Sequence, residues 1–271
     1  MQRPIGFVLG GGGALGAVQV GMLRALLEHD IVPDLVVGTS IGAFNGAVLA
    51  ANPARAVDIL TKFWNSWSRS DALHLRGVKP LLHWRRTHQS LYPNDGVTRG
   101  IRSVLQNYPL IEDLALPFGA VAVDVRRGLP ELLCQGPLES ALLASAAIPG
   151  IFPPVERNGI LYYDGGLGDN VPIRDAVKMG ARSLVVLDTT NPVADLEQPM
   201  TLSTIASYVT EVYSRQSVLR HLEDFEHLQT LYPPSAATGT MSPLDTSHTK
   251  ELMHQSYRNA TEYLDRVLLT A

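Results

Sequence analysis

Short runs rich in Val, Ile and Leu alternate along this chain with longer segments of helical period, and that alternation leaves few folds open. It predicts parallel strands covered by crossover helices, hence an α/β protein with a mainly parallel central sheet flanked by helices. The strand candidates are Ile5 to Leu9, Leu35 to Gly38, Gly119 to Val125, Glu131 to Cys134, Ile160 to Tyr163 and Ser183 to Leu187. Between the first two, Leu15, Val18, Met22, Ala25 and Leu26 fall on one helical face. A second helix is expected to begin at Ser40 and stop at Asn52-Pro53, because proline disfavours helical geometry in the residue before it. The next helix carries Val57, Leu60, Phe63, Trp64 and Trp67, an apolar stripe read as core and given no catalytic role. Helical period returns over Thr201 to Leu228 and His248 to Leu269, around a break at Pro233-Pro234.

No internal repeat or low-complexity tract interrupts the pattern, so one domain over residues 1–271 is expected, with the motifs in about 5–190 and a helical part over about 200–271. At 271 residues, 45% hydrophobic and 18% charged, the chain can bury a large core. A net charge of −4 supplies no basic field for nucleic acid. Cys134 is the only cysteine, which rules out an intrachain disulfide and points to a reducing compartment, the cytoplasm. The N-terminal apolar segment is too short for a signal peptide, and no run approaches the roughly 18 apolar residues of a spanning helix. Membrane contact, if made, is therefore peripheral. Its candidate is the segment from about Leu73 to Tyr92, where Arg76, Lys79, Arg85 and Arg86 mix with Leu81, Leu82 and Trp84 and no acid appears. A solvated loop is the plainer reading of such a run.

Three constellations carry chemistry. Gly10-Gly11-Gly12-Gly13-Ala14-Leu15-Gly16 sits directly after an apolar strand and before an amphipathic helix. Glycines let the main chain approach a ligand, and a helix start adds free N–H groups and a positive dipole end. Such a loop binds negative charge, either a standing phosphate or the oxyanion formed when a nucleophile adds to an ester. Gly11, Gly13 and Gly16 also satisfy the dinucleotide-binding GxGxxG. That reading needs an acid at the end of the second strand, and Asp34 instead precedes Leu35-Val36-Val37, which runs into Gly38-Thr39-Ser40. It is the weaker of the two.

Gly38-Thr39-Ser40-Ile41-Gly42 is a GxSxG between a strand and a small-residue helix, which fits a nucleophile elbow that pushes the Ser40 hydroxyl outward. The same residue types also make an ordinary turn and helix cap. Serine needs a proton acceptor. None of the eight histidines, at 29, 74, 83, 88, 221, 227, 248 and 254, sits in a glycine-rich turn at a strand end. Only 39 residues precede Ser40, too few for the strands that an α/β-hydrolase builds before its elbow. Tyr162-Tyr163-Asp164-Gly165-Gly166 places a carboxylate at a strand end with two glycines behind it. Asp124 and Asp188 are comparable strand-end acids; the glycine context favours Asp164, and a turn-forming aspartate is the bland alternative. His and Cys do not occur at metal-ligand spacing, so no metal or other cofactor is expected.

Glycine loop, GxSxG and Asp-Gly-Gly in this order resemble the patatin-like phospholipase family, as does Ala144-Ser145-Ala146-Ala147-Ile148-Pro149 with Phe152-Pro153-Pro154 after it. The resemblance covers about residues 5 to 190. It implies a three-layer patatin-like fold and a serine acyl hydrolase of lipid esters, of phospholipase A or lysophospholipase kind. It also implies Ser40 as nucleophile, Asp164 as base, Gly11, Gly12 and Gly13 as the oxyanion loop and the Ile41 N–H as a further donor. One position departs from the family: Leu15 stands where Arg or Lys is common. An acyltransferase using the same acyl-serine and a non-catalytic lipid-binding protein are the alternatives.

Overall fold

β1 (Ile5–Leu9) leads through a tight glycine turn into α1 (Ala17–Glu28), and β2 (Leu35–Thr39) leads through a single residue, Ser40, into α2 (Ile41–Ala51). These units come from a computed structural model, which describes residues 1–73, 80–190, 202–236, 242 and 245–269. α3 (Ala56–Ser66), α4 (Arg69–Ala72), α5 (Pro80–Thr87) and α6 (Asp95–Leu105) follow before β3 (Phe118–Asp124) and β4 (Leu129–Leu133). Then come α7 (Leu138–Ser145), β5 (Val155–Arg157), β6 (Ile160–Asp164), α8 (Ile173–Lys178), β7 (Ser183–Leu187), α9 (Leu202–Asp224), β8 (Gln229–Leu231) and α10 (Thr249–Leu269).

All eight strands join one sheet, hydrogen-bonded in the succession β5-β6-β3-β2-β1-β7-β8 with β4 also on β3. β3, β2, β1, β7 and β8 run parallel, while β4, β6 and β5 are antiparallel to their neighbours. Alternate residues feed two cores. Phe7, Leu9, Val36, Ala120, Val185 and Leu187 join the core that α1, α2, α3, α7 and α10 cover, whereas Val8, Val37, Val121, Leu184 and Val186 join the one under α8 and α9. Burial on both faces is why these strands read as nearly continuous apolar runs, and it makes the architecture three layers.

The pairing around β3 positions the site. β4 lies along Ala120–Asp124, β2 along Phe118–Val121 and β6 along Ala122–Asp124. A strand residue has one neighbour per edge, so β4 takes one edge and β2 and β6 share the other. β2 runs with β3 and β6 against it. Their C-terminal ends therefore meet head-on, Thr39 opposite Val121 and Asp164 opposite Ala122.

Two strands differ from the sequence expectation. β5 forms a hairpin with β6 through Asn158 (φ 52°) and Gly159 (φ 78°), the Asn-Gly pair of a tight turn. β8 pairs with β7 just after the stretch read as helix to Leu228; the helix itself ends at Asp224. Of the basic segment from Leu73 to Tyr92, residues 74–79, with His74, Arg76 and Lys79, lie outside the described residues.

Candidate active site

Ser40 links β2 to α2 with φ 53° and ψ −122°, a positive-φ conformation that costs a non-glycine residue about 1–3 kcal/mol and persists only where its surroundings impose it. The flanking glycines supply the constraint. A Cβ on Gly38 would lie 2.4 Å from the Gly42 carbonyl oxygen, and one on Gly42 would lie 2.2 Å from the Leu9 carbonyl oxygen. The first turn of α2 thus rests directly on the backbone of β1 and β2. The Ser40 amide donates to Ser145 Oγ (2.8 Å), which in turn donates to the Val121 carbonyl (2.6 Å).

The Ser40 hydroxyl donates to Asp164 Oδ2 at 2.7 Å. Asp164 Oδ1 accepts the Gly166 amide (2.8 Å), and the Asp164 amide donates to the Ala147 carbonyl (3.0 Å). The Ser145–Ala147 segment therefore holds both partners. Asp164 is buried, and burial pushes its carboxyl up from the usual 3.8 to about 6, against the hydrogen bonds from Ser40 and Gly166. The other strand-end acids are engaged elsewhere. Asp124 accepts the Arg126 and Arg127 amides, and Asp188 accepts Tyr232 and Thr190. Asp34 is tied to Arg3 and the Ile5 amide, at the start of β1.

The glycine loop faces Ser40, but not every amide in it is open. Gly11 N–H donates to the Asn170 carbonyl (3.1 Å), which removes Gly11 from the expected set of oxyanion donors. Among the described residues nothing accepts the amides of Gly12, Gly13 or Ile41. The Ile41 amide also opens α2, where the helix dipole is positive. Buried polar side chains brace the loop from below. Gln19 donates to the Gly10 and Leu187 carbonyls (2.8 and 3.0 Å), Asn45 to the Gly16 carbonyl and Gln19 Oε1 (2.9 and 2.8 Å), and Trp64 Nε1 to Asn45 Oδ1 (3.2 Å). In the sequence Asn45 stands out as the one polar side chain of α2, and Gln19 as a polar residue among the apolar ones that open α1. The Leu15 side chain is buried in the core and does not line the cavity, while its amide donates to the Gly12 carbonyl (3.1 Å).

A cavity of about 130 Å³ is lined by Ser40, Ile41 and Gly13 together with apolar walls that include Phe44, Phe63, Trp67, Ile148 and Phe152. Phe63 packs on Phe44 and stacks on Trp67, with centroids 4.6 and 5.1 Å apart. Of the α3 stripe, Leu60, Phe63 and Trp64 are buried and Val57 and Trp67 are half-buried against the core, and the Phe63, Trp64 and Trp67 rings also wall the cavity. No histidine among the described residues lines it. Nor do any three His, Cys, Asp or Glu side chains among them gather as a metal would need.

Fold and site together define a three-layer α/β protein that holds a strained serine against a buried carboxylate, beside an apolar cavity and main-chain amides that no described residue accepts. A family profile described as "Patatin-like phospholipase" matches residues 7–177. The chain belongs to that family, one of lipid ester hydrolases. It is 35% identical over 187 residues to patatin-like phospholipase domain-containing protein 7 of Rattus norvegicus, covering 68% of this chain and 13% of that protein. Lysophospholipase nte1 of Aspergillus terreus is 28% identical over 300 residues, covering 98% of this chain and 18% of that protein. This chain thus spans less than a fifth of the length of either relative. Among solved structures, VipD from Legionella pneumophila superposes with a TM-score of 0.55 at 15% identity, over 99% of this chain and 67% of that one, a likeness of fold.

Proposed function

We propose that the chain hydrolyses carboxylic esters of lipids through a Ser40/Asp164 dyad. The observation that carries this is the 2.7 Å hydrogen bond from the hydroxyl of Ser40, which lines an apolar cavity, to the buried Asp164 carboxylate behind it. Ser40 Oγ adds to the ester carbonyl as its proton passes to Asp164, and the Gly12, Gly13 and Ile41 amides hold the oxyanion. Collapse of the tetrahedral adduct expels the alcohol, which takes the proton from Asp164 and leaves an acyl-serine. Water then adds to the acyl carbonyl and gives its proton to Asp164, and Ser40 recovers that proton as the fatty acid leaves. A carboxyl near 6 is a stronger base than an ordinary aspartate and is still ionised at pH 7. The cavity suits an acyl chain, and one relative bears the name lysophospholipase, so a lysophospholipid or phospholipid ester is the proposed substrate class.

A fluorophosphonate probe should label wild-type protein at Ser40 and leave Ser40→Ala unlabelled. Folded wild-type protein that takes no label would overturn the hydrolase reading and favour a binding role. Acyl transfer to an added alcohol in preference to water would point to the acyltransferase instead.

A peripheral membrane contact belongs to the same proposal. α5 exposes Leu81, Leu82 and Trp84 beside Arg85 and Arg86, and the chain leaving it is tied to Gly150 and Ile151, next to the cavity wall at Ile148 and Phe152. Among the described residues no helix is long and apolar enough to cross a membrane. The exposed, free Cys134 thiol fits a cytoplasmic setting. At about 1 kcal/mol per cation near an anionic surface, replacing Arg85 and Arg86 by Gln should weaken binding to phosphatidylserine vesicles roughly 30-fold. Equal binding of both proteins to anionic and neutral vesicles would remove the electrostatic contact.

A further inference from the structure

We infer that Thr189, assisted by Asn170, is a positioning residue of this site: together they grip the Gly11 carbonyl and so aim the Gly12 N–H at the oxyanion position. The inference rests on the proposed hydrolase reading. Thr189 lies just beyond β7, fully buried, and its hydroxyl donates to the Gly11 carbonyl at 2.6 Å. Asn170 Nδ2 approaches the same oxygen at 3.4 Å and also donates to Ser214 Oγ of α9 at 3.2 Å. The Asn170 main-chain oxygen accepts the Gly11 amide, so the peptide groups on both sides of Gly11 are held.

Peptide planarity converts this grip into direction. In a trans peptide the N–H points opposite to the C=O, so fixing the Gly11 oxygen on Thr189 sends the Gly12 N–H the other way. No acceptor among the described residues takes that N–H. Thr189 also presses on Gly12 itself, where a Cβ would lie 2.3 Å from its Oγ1, so only glycine fits between Thr189 and the loop. A site built this way holds its donor in place before the reaction, and no reorientation is needed as negative charge develops.

The test compares Thr189→Val, which keeps the shape and loses the donor, with Thr189→Ser, which keeps the hydroxyl, on p-nitrophenyl butyrate. Losing an oxyanion donor outright costs roughly 10²–10³ in kcat, so a misaimed donor is expected to cost about 10–100-fold in kcat for Thr189→Val, with KM within about twofold. Thr189→Ser should restore most of kcat. A Thr189→Val enzyme with wild-type kcat, or one impaired no more than Thr189→Ser, overturns the inference. Should Thr189→Val fail to fold, Asn170→Ala carries the test: a several-fold loss of kcat at constant KM supports the grip, and an unchanged kcat overturns it. Wild-type protein that neither turns over the ester nor takes a fluorophosphonate label removes the hydrolase reading along with the inference, which separates the two failures.

Discussion

Asp164→Asn is expected to lose ester turnover by roughly 10³-fold or more while becoming more stable than the wild type at neutral pH. The first effect follows from its contact with Ser40, because an amide cannot take the hydroxyl proton. The second follows from burial. The folded-state carboxyl lies near 6 against 3.8 when exposed, so between those values the folded protein binds more protons than the unfolded chain. The stability contributed by the protonated form is complete below about pH 4 and is lost as pH rises through 6. Above that, the native state carries the whole cost of a buried charge, about 3 kcal/mol at 1.36 kcal/mol per pH unit. The carboxamide introduced by Asp164→Asn would keep an acceptor for the Gly166 amide and present a donor to Ser40 Oγ, so the local geometry need not change.

Denaturant titrations of both proteins at pH 4, 5, 6 and 7.5 provide the check. Asp169, pushed up to about 7 chiefly by burial, adds a slope of its own, but it is present in both proteins and largely cancels in the difference. The stability gap should open between pH 4 and 7. Wild-type kcat should rise over the same window with an inflection near 6, since only the carboxylate can accept the proton. A gap that ignores pH would remove the buried-charge account, and near-normal turnover in Asp164→Asn would remove the dyad.

Gly42→Ala is expected to be among the most damaging single-methyl changes in the chain. Its Cβ would stand 2.2 Å from the Leu9 oxygen and 2.5 Å from the Gly10 oxygen, both main-chain atoms at the end of a central strand, where no side chain can swing aside. Relief requires lifting α2 off the sheet, at about 3 kcal/mol or more. Gly128→Ala is the control: it has φ 66° and nothing within 4 Å of the new methyl, so it carries only the backbone cost of roughly 1–2 kcal/mol. Urea midpoints would separate the two. Any folded Gly42→Ala protein should also be slow, since a displacement of about 1 Å at a reacting atom can cost 10²-fold. A variant with wild-type midpoint and turnover would show that the elbow does not depend on this close approach.

Elements buried on two faces were legible in the sequence because burial itself writes the signal. β1, β2, β3 and β7 are apolar nearly throughout, and α1 and α2 carry their stripes between recognisable breakers. β8 was not legible: three residues, Gln229-Thr230-Leu231, show no period, and only their pairing with β7 makes them a strand. β5 does carry a local signal, since Asn158-Gly159 between short runs marks a hairpin. The aromatic stripe of α3 reads as core from its period alone, and its second task as cavity wall depends on where α6, α7 and the Ile148–Phe152 loop come to rest. Gly11 shows the same limit at a single amide, because no local pattern announces that Asn170, 159 residues on, will occupy it.

Local sterics act within a few residues, so the sequence alone specified where the chain could make a sharp strand-to-helix turn: Gly38 and Gly42 permit one around Ser40 and very little else would. It likewise specified a glycine loop ahead of a helix and an acid at a strand end. Whether that acid would reach that serine, 124 positions away, was decided only by β2 and β6 sharing one edge of β3. The basicity of Asp164 and the choice of open amides were settled there too. Desolvation and hydrogen-bond competition depend on which distant segments pack around a group, and those are set by the assembled sheet.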